Sequence, residues 1–259
     1  MTRGLRDIAA EGILLAGGGR AILLQIAHPA VGRGVAEHSD FASRPLDRLR
    51  ATMTYVYAVV YGNATQKAEV RRRVNAAHAP VHAPASDGST GYDAYDPELQ
   101  LWVAATLYDT AVDLYQRVFG QLDEESADRV YREYAVIGTA LQVPQETWPA
   151  DRAAFQRYWS GVLPTLRADP ATRRVVRELL MARGAPLWLR ALMPWARLCT
   201  VALLPADVRQ AFALTLTSRN QRRFDRFISM TRAVYPRLPV GVRHALRDAL
   251  LRDLRVAPA

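Results

Sequence analysis

From Asp96 to Phe119 the side chains suited to burial recur at intervals of three and four. Leu99, Trp102, Val103, Thr106 and Leu107 are followed by Leu114, Tyr115 and Val118. That period matches one face of an α-helix, and it recurs in block after block along the chain. The period-two alternation of a half-buried strand is almost absent. This single property restricts the chain to helix-on-helix packing. The blocks predict helices at 5–16, 20–36, 45–61, 64–78, 96–118, 123–140, 150–166, 170–182, 186–203, a broken 205–235, and 239–253. Prolines punctuate them. The stretch PVHAPASDGSTGYDAY at 80–95 reads as a loop. Asp96 before Pro97 is an N-cap followed by a first-turn proline. The 259 residues, half of them apolar, suffice for one domain spanning 1–259 with a core at about 10–235. The expected fold is all-α, a single helical core with a C-terminal helical extension.

The charge narrows the partners. The formal net charge is +9, and Lys67 is the only lysine, so the excess is arginine. Arginine suits phosphate, carboxylate, a heme propionate or an acidic membrane face. No basic block is interleaved with stacking aromatics, so no nucleic acid partner is expected. Cys199 is the lone cysteine, which rules out an internal disulfide and a Cys-based metal cluster. The N-terminal apolar run is short and broken by glycines, unlike a signal peptide. A cytoplasmic protein is expected, with a peripheral membrane contact as an alternative for 185–205. There Trp188, Leu189, Leu192, Met193 and Trp195 cluster with Arg190 and Arg197. The competing reading is a helix docked on its own core.

The segment LLAGGGRAILLQIAHPAVGRGVAEHSDF, Leu14 to Phe41, concentrates the polar puzzles. A phosphate loop needs a preceding strand and a Gly-Lys-Ser/Thr end, and neither is here. The glycines instead read as a helix junction that permits close packing. The following helix is apolar on nearly all sides and should be buried. Gln25 and His28 then need partners, and Pro29 should kink the helix beside His28.

Four of the five histidines, His28, His38, His78 and His82, lie in the first 82 residues; the fifth is His244. His78 and His82 are four apart, but Pro80 between them makes a shared helical face doubtful. No HExxH or Glu-x-x-His pair is present. One axial histidine in an apolar, arginine-edged helical pocket suits heme better than a multi-histidine site. Arg48 and Thr52 are one turn apart and share a face with Tyr55.

Taken in order, the Leu14–Phe41 segment, PLDRLRATMTYVYAVVYG, VNAAHAPV and YDAYDPELQLWVAATL resemble the bacterial relatives of rubber oxygenase, the latex-clearing protein. The fungal ER-bound oxygenase of mycophenolic acid biosynthesis belongs to the same family. GTALQVPQETWP and LLPADVRQAFAL extend the likeness. The resemblance implies an all-α protein with a globin-like, heme-holding core and b-type heme iron that acts with O2 on a small lipophilic or aromatic substrate, with peroxide as another oxidant and an electron donor as a further partner. His78 matches the axial position. Arg48 and Thr52 match an Arg-x-x-x-Thr element beside the heme, Arg48 anchoring a propionate. His28 and His38 match distal or supporting histidines, expected to donate to bound oxygen or to move protons. Gln25 and Tyr55 complete the expected cofactor contacts. Two positions depart from the pattern: His82 stands where relatives more often have glycine or arginine, and Ala104 where many have histidine. The competing functions are a heme sensor, carrier or inactive relative, and a non-heme metal enzyme using His28, His78 and His82.

Overall fold

A computed structural model describes residues 2–38, 45–86, 90–182 and 186–254. Its helices are α1 (Leu5–Ile8), α2 (Gly18–Ala27), α3 (Pro29–His38), α4 (Pro45–Tyr61), α5 (Ala64–His78), α6 (Pro97–Phe119) and α7 (Glu124–Thr139). They continue with α8 (Arg152–Val162), α9 (Pro170–Met181), α10 (Leu187–Leu203), α11 (Ala206–Ala211), α12 (Ser218–Val234), α13 (Val240–Arg243) and α14 (Ala245–Asp253). Among the described residues, four short 3-10 turns join them, at Gly12–Gly17, Gln145–Thr147, Leu163–Thr165 and Tyr235–Arg237. The fold is all-α.

Local chemistry explains most boundaries. The Asp96 carboxylate accepts from the Glu98 amide at 2.8 Å, with Pro97 opening α6. Asp123, Asp151 and Asp169 accept from the amides of Ser126, Ala154 and Thr172 in the same way. Asn63 and Gln66 form a reciprocal capping box at the start of α5. Such caps each contribute about 1 kcal/mol.

Two expectations differ from the structure. Residues 5–16 do not form one helix: α1 stops after one turn and a 3-10 segment follows. Leu5 and Ile8 are buried, so tertiary packing sets this path. The 80–95 loop contains a two-residue antiparallel pair, β1 (His82–Ala83) with β2 (Tyr92–Asp93). The Tyr92 hydroxyl donates to the Glu37 carboxylate at 2.8 Å, tying β2 to α3.

The core is centred on α6. Trp102 is almost fully buried, stacks on Trp159 at 5.2 Å and donates its indole N–H to the Leu24 carbonyl at 3.1 Å. Tyr108 sits among Tyr131, Tyr134, Trp148 and Phe155, edge-on to each. The α2 residues Leu23, Leu24, Ile26 and Ala27 are buried, as an all-round apolar helix requires. Arg20, buried in the first turn of α2, donates to Leu203 O (2.9 Å), Thr110 Oγ1 (2.7 Å) and the Asp109 carboxylate, pinning α2 to α6 and α10. The expected C-terminal extension is part of the core: Leu250 and Leu254 are buried, and Asp253 pairs with Arg50 of α4 at 2.8 Å.

Candidate functional site

The polypeptide breaks at His28. α2 ends at Ala27, His28 is extended (φ −72, ψ 123), and α3 restarts at Pro29. The residue before proline is driven from helical to extended backbone, which accounts for the break. The apolar segments on either side meet at 104°. The bend turns one helix's continuation into a wall and leaves His28 at the corner.

His28 is half-buried, and its Nδ1 is buried with no hydrogen-bond partner among the described residues. Desolvation lowers its pKa, against the opposing pull of Asp96 and Glu98 at the start of α6. His78, the last residue of α5, is in the same condition: half-buried, with an unpartnered buried Nδ1. Its pKa is lowered by desolvation first and by the Arg48 charge second. The imidazole meets the Tyr95 ring edge-on at 6.5 Å. Tyr95 precedes the α6 cap Asp96. The α2–α3 corner, the end of α5 and the start of α6 therefore converge, and the charge of α4 reaches them through Arg48.

Arg48 and Thr52 are solvent-exposed, whereas Tyr55, on the same helical face, is buried. Desolvation nevertheless lowers the Arg48 pKa. The Tyr55 hydroxyl donates to the Ile137 carbonyl of α7 at 2.9 Å, so this tyrosine anchors the deep end of the face. Gln25 donates to Thr106 Oγ1 at 3.1 Å, and Thr106 in turn donates to the Val103 carbonyl at 2.7 Å. That chain fixes the Gln25 amide one turn before the corner.

Other candidates fall elsewhere. His38 ends the ten-residue α3, about 13–14 Å along the helix from Pro29. It is exposed and packs edge-on to Tyr92 at 5.6 Å. His82 is exposed on β1, with Nδ1 3.2 Å from the Ala79 carbonyl oxygen. Ala104 is buried on α6 and faces Gly138 of α7. Among the described residues, no three His, Cys, Asp or Glu side chains are grouped to hold a metal ion.

Sequence reasoning missed the supports of His78. The Tyr95 hydroxyl donates to the Asn75 carbonyl at 2.8 Å. Gln142 donates to Asn75 Oδ1 at 3.0 Å, and Gln100 donates to Gln142 Oε1 at 2.5 Å and to the Ala94 carbonyl at 2.7 Å. This network clamps the last turn of α5 onto the start of α6. Gln142 and Tyr95 were visible only as members of polar-rich stretches, because their partners are distant in sequence.

The donor set suits a b-type heme: a desolvated imidazole with a buried, unpartnered ring nitrogen feels the charge of a guanidinium. Leaving such a buried polar atom unpaired costs about 1–3 kcal/mol, so both imidazoles call for a partner.

The family described as the ER-bound oxygenase mpaB/B' and rubber oxygenase catalytic domain matches residues 5–233. The chain is 36% identical over 216 residues to an uncharacterized protein of Mycobacterium tuberculosis, Rv2237, covering 82% of this chain and 84% of that one. The same figures hold for Mb2261, an uncharacterized protein of Mycobacterium bovis. No solved structure matches the chain.

Proposed function

The chain belongs to the mpaB and rubber oxygenase catalytic-domain family, and on that premise we propose that it is a heme b-dependent oxygenase acting with O2 on a small lipophilic or aromatic molecule. The observation that carries this reading is the pairing of His78, with its buried unpartnered nitrogen, and the nearby Arg48 charge. His78 would hold the heme iron and Arg48 a propionate. The heme would supply the activation of dioxygen that amino-acid side chains lack.

The chain's own residues prepare that chemistry. Desolvation keeps His78 unprotonated, so a ring lone pair is available to iron. The Asn75–Gln142–Gln100 clamp holds the end of α5 in place, as supporting hydrogen bonds do for other metal-ligating side chains. Arg48 offers charge-assisted hydrogen bonds to a carboxylate. Thr52, one turn on, shares the exposed helical face of Arg48. His28, its pKa lowered by desolvation, is able to take up or release a proton at the α2–α3 corner. Gln25 adds a fixed amide. His38, exposed at the far end of α3, stands apart from these residues. Electrons would come from a separate donor.

The test is the absorption spectrum of protein expressed with ample heme, with a pyridine hemochrome assay. The expected result is a Soret band at near-stoichiometric b-type heme, lost in His78→Ala while the helical circular dichroism is retained. A wild-type chain that takes up no hemin, or a His78→Ala variant with unchanged heme spectra, overturns the assignment. Stoichiometric heme without O2 consumption across a panel of lipophilic substrates would favour a sensor or carrier.

A further inference from the structure

α10 is docked by only one of its halves. Leu198, Cys199 and Leu203 are buried with Phe224 of α12, and Thr200 packs against Gly19 of α2. The other half projects: Leu187 is 79% exposed, Trp188 59%, Leu192 53% and Trp195 46%. Trp188, Leu192 and Trp195 follow an i, i+4, i+7 spacing and so share one face. α12 lies alongside. Its Phe227 ring is 5.8 Å from Trp195, and the Arg223 guanidinium stands 5.5 Å from the centre of the same indole. Arg219, Arg223, Arg226 and Met230 are spaced i, i+4, i+7, i+11, and all four are exposed.

The charge around this face is one-sided. α10 and α12 together hold seven arginines against Asp225, a formal +6. No single helix among the described residues is long and apolar enough to cross a membrane. Exposed tryptophans beside arginines suit the boundary between headgroups and acyl chains, where an indole is partly wet and a guanidinium meets phosphate. Pairing of this face with a second copy would bring two strongly cationic regions together.

We propose that α10 and α12 form a docking surface for an anionic lipid bilayer. Trp188, Leu192 and Trp195 enter the headgroup–acyl boundary, and Arg219, Arg223 and Arg226 contact lipid phosphates. The inference is independent of the heme reading, because its test measures lipid binding alone.

The full chain is sedimented with vesicles of phosphatidylcholine, alone or mixed with phosphatidylglycerol. It should pellet with the mixed vesicles and much less with the neutral ones. Lipids brominated near the headgroup should quench part of the tryptophan emission, since Trp102, Trp148 and Trp159 are buried and Trp188 and Trp195 are not. The triple variant Arg219→Gln/Arg223→Gln/Arg226→Gln should weaken binding about a hundredfold, three charges at roughly fivefold each. Trp188→Ser/Leu192→Ser/Trp195→Ser should abolish the quenching. All six altered side chains are exposed, and circular dichroism checks that the helices persist. The proposal is overturned by failure to pellet with anionic vesicles, by pelleting without quenching, or by binding that the apolar triple variant leaves intact. It is also overturned if sedimentation shows a dimer that this variant dissociates while wild type ignores vesicles.

Discussion

His28 is held between opposing influences, and their balance has a measurable sign. Burial lowers its folded-state pKa below the ordinary 6.5, although Asp96 and Glu98 pull the other way. Between that lowered value and 6.5 the unfolded chain binds a proton that the folded chain refuses. For this group, stability is therefore fully present above 6.5, falls as pH drops through 6.5, and levels off below the folded pKa. In heme-free protein, urea midpoints between about pH 5 and 8 should decline toward acid, and His28→Gln should shallow that decline. His78, lowered in the same direction, leaves a residual slope. Identical slopes in the variant and wild type would show that His28 is protonated as easily folded as unfolded. The hinge at His28 was legible because Pro29 restricts its neighbour and removes a donor, both local effects. The edge contact of Tyr95 with His78 was not legible, since it links two helix termini across a 16-residue connection that only the fold brings together.

At the scale of elements, the three consecutive glycines turn out to have three different surroundings. A Cβ on Gly18 would meet only Leu49 Cδ1 at 3.7 Å, an ordinary contact. One on Gly17 would come within 2.5 Å of Thr110 Cγ2, and one on Gly19 would overlap the Thr200 side chain of α10. α2 is therefore seated between α6 and α10 through the absence of side chains, with Arg20 locking the same end. Gly19→Ala should destabilise by about 1–3 kcal/mol through overpacking. Gly18→Ala should be neutral or stabilise by up to about 1 kcal/mol through helix propensity. Denaturant unfolding of both, with Thr200→Ala added to Gly19→Ala to restore space, measures the difference. Equal effects at the two positions would refute the packing account. The sequence indicated a junction built for close approach, because a GGG run opening an apolar helix has few other uses. It did not indicate which glycine touches what, since that depends on the path of α10, some 180 residues away. The short turns of Leu5–Ile8 and Gly12–Gly17 were misread as one helix for a related reason. Their periodicity is helical, but their burial against distant partners decides the geometry.

Across the whole molecule, the C-terminal helices close the structure over its N-terminal segment. Glu11, buried in the link between α1 and the 3-10 segment, receives the Arg243 guanidinium and lies 3.2 Å from His244 Nε2. The Tyr235 hydroxyl accepts from the Ile13 amide at 3.1 Å. Leu250 and Leu254 of α14 and its terminus bury beneath α4, the helix that carries Arg48 and Thr52. This closure explains why periodicity disclosed the helices of the C-terminal region but left their role open: an amphipathic helix does not name the surface that covers it. The covering also has an energetic consequence. Removing residues 240–259 would strand the Glu11 carboxylate without the Arg243 guanidinium, at about 3–5 kcal/mol. It would also expose the pocket of two leucines, each contributing about 1.5–3 kcal/mol by burial. A chain ending at Pro239 should thus lose most of an ordinary domain's 5–15 kcal/mol of stability. Restoring part of it by also replacing Glu11 with Gln would separate the charge penalty from the apolar one. Both are read from denaturant midpoints. A truncated chain as stable as the full one would mean that the matched family core, residues 5–233, stands without the closure. α14 would then be an accessory on α4 and not one of its supports.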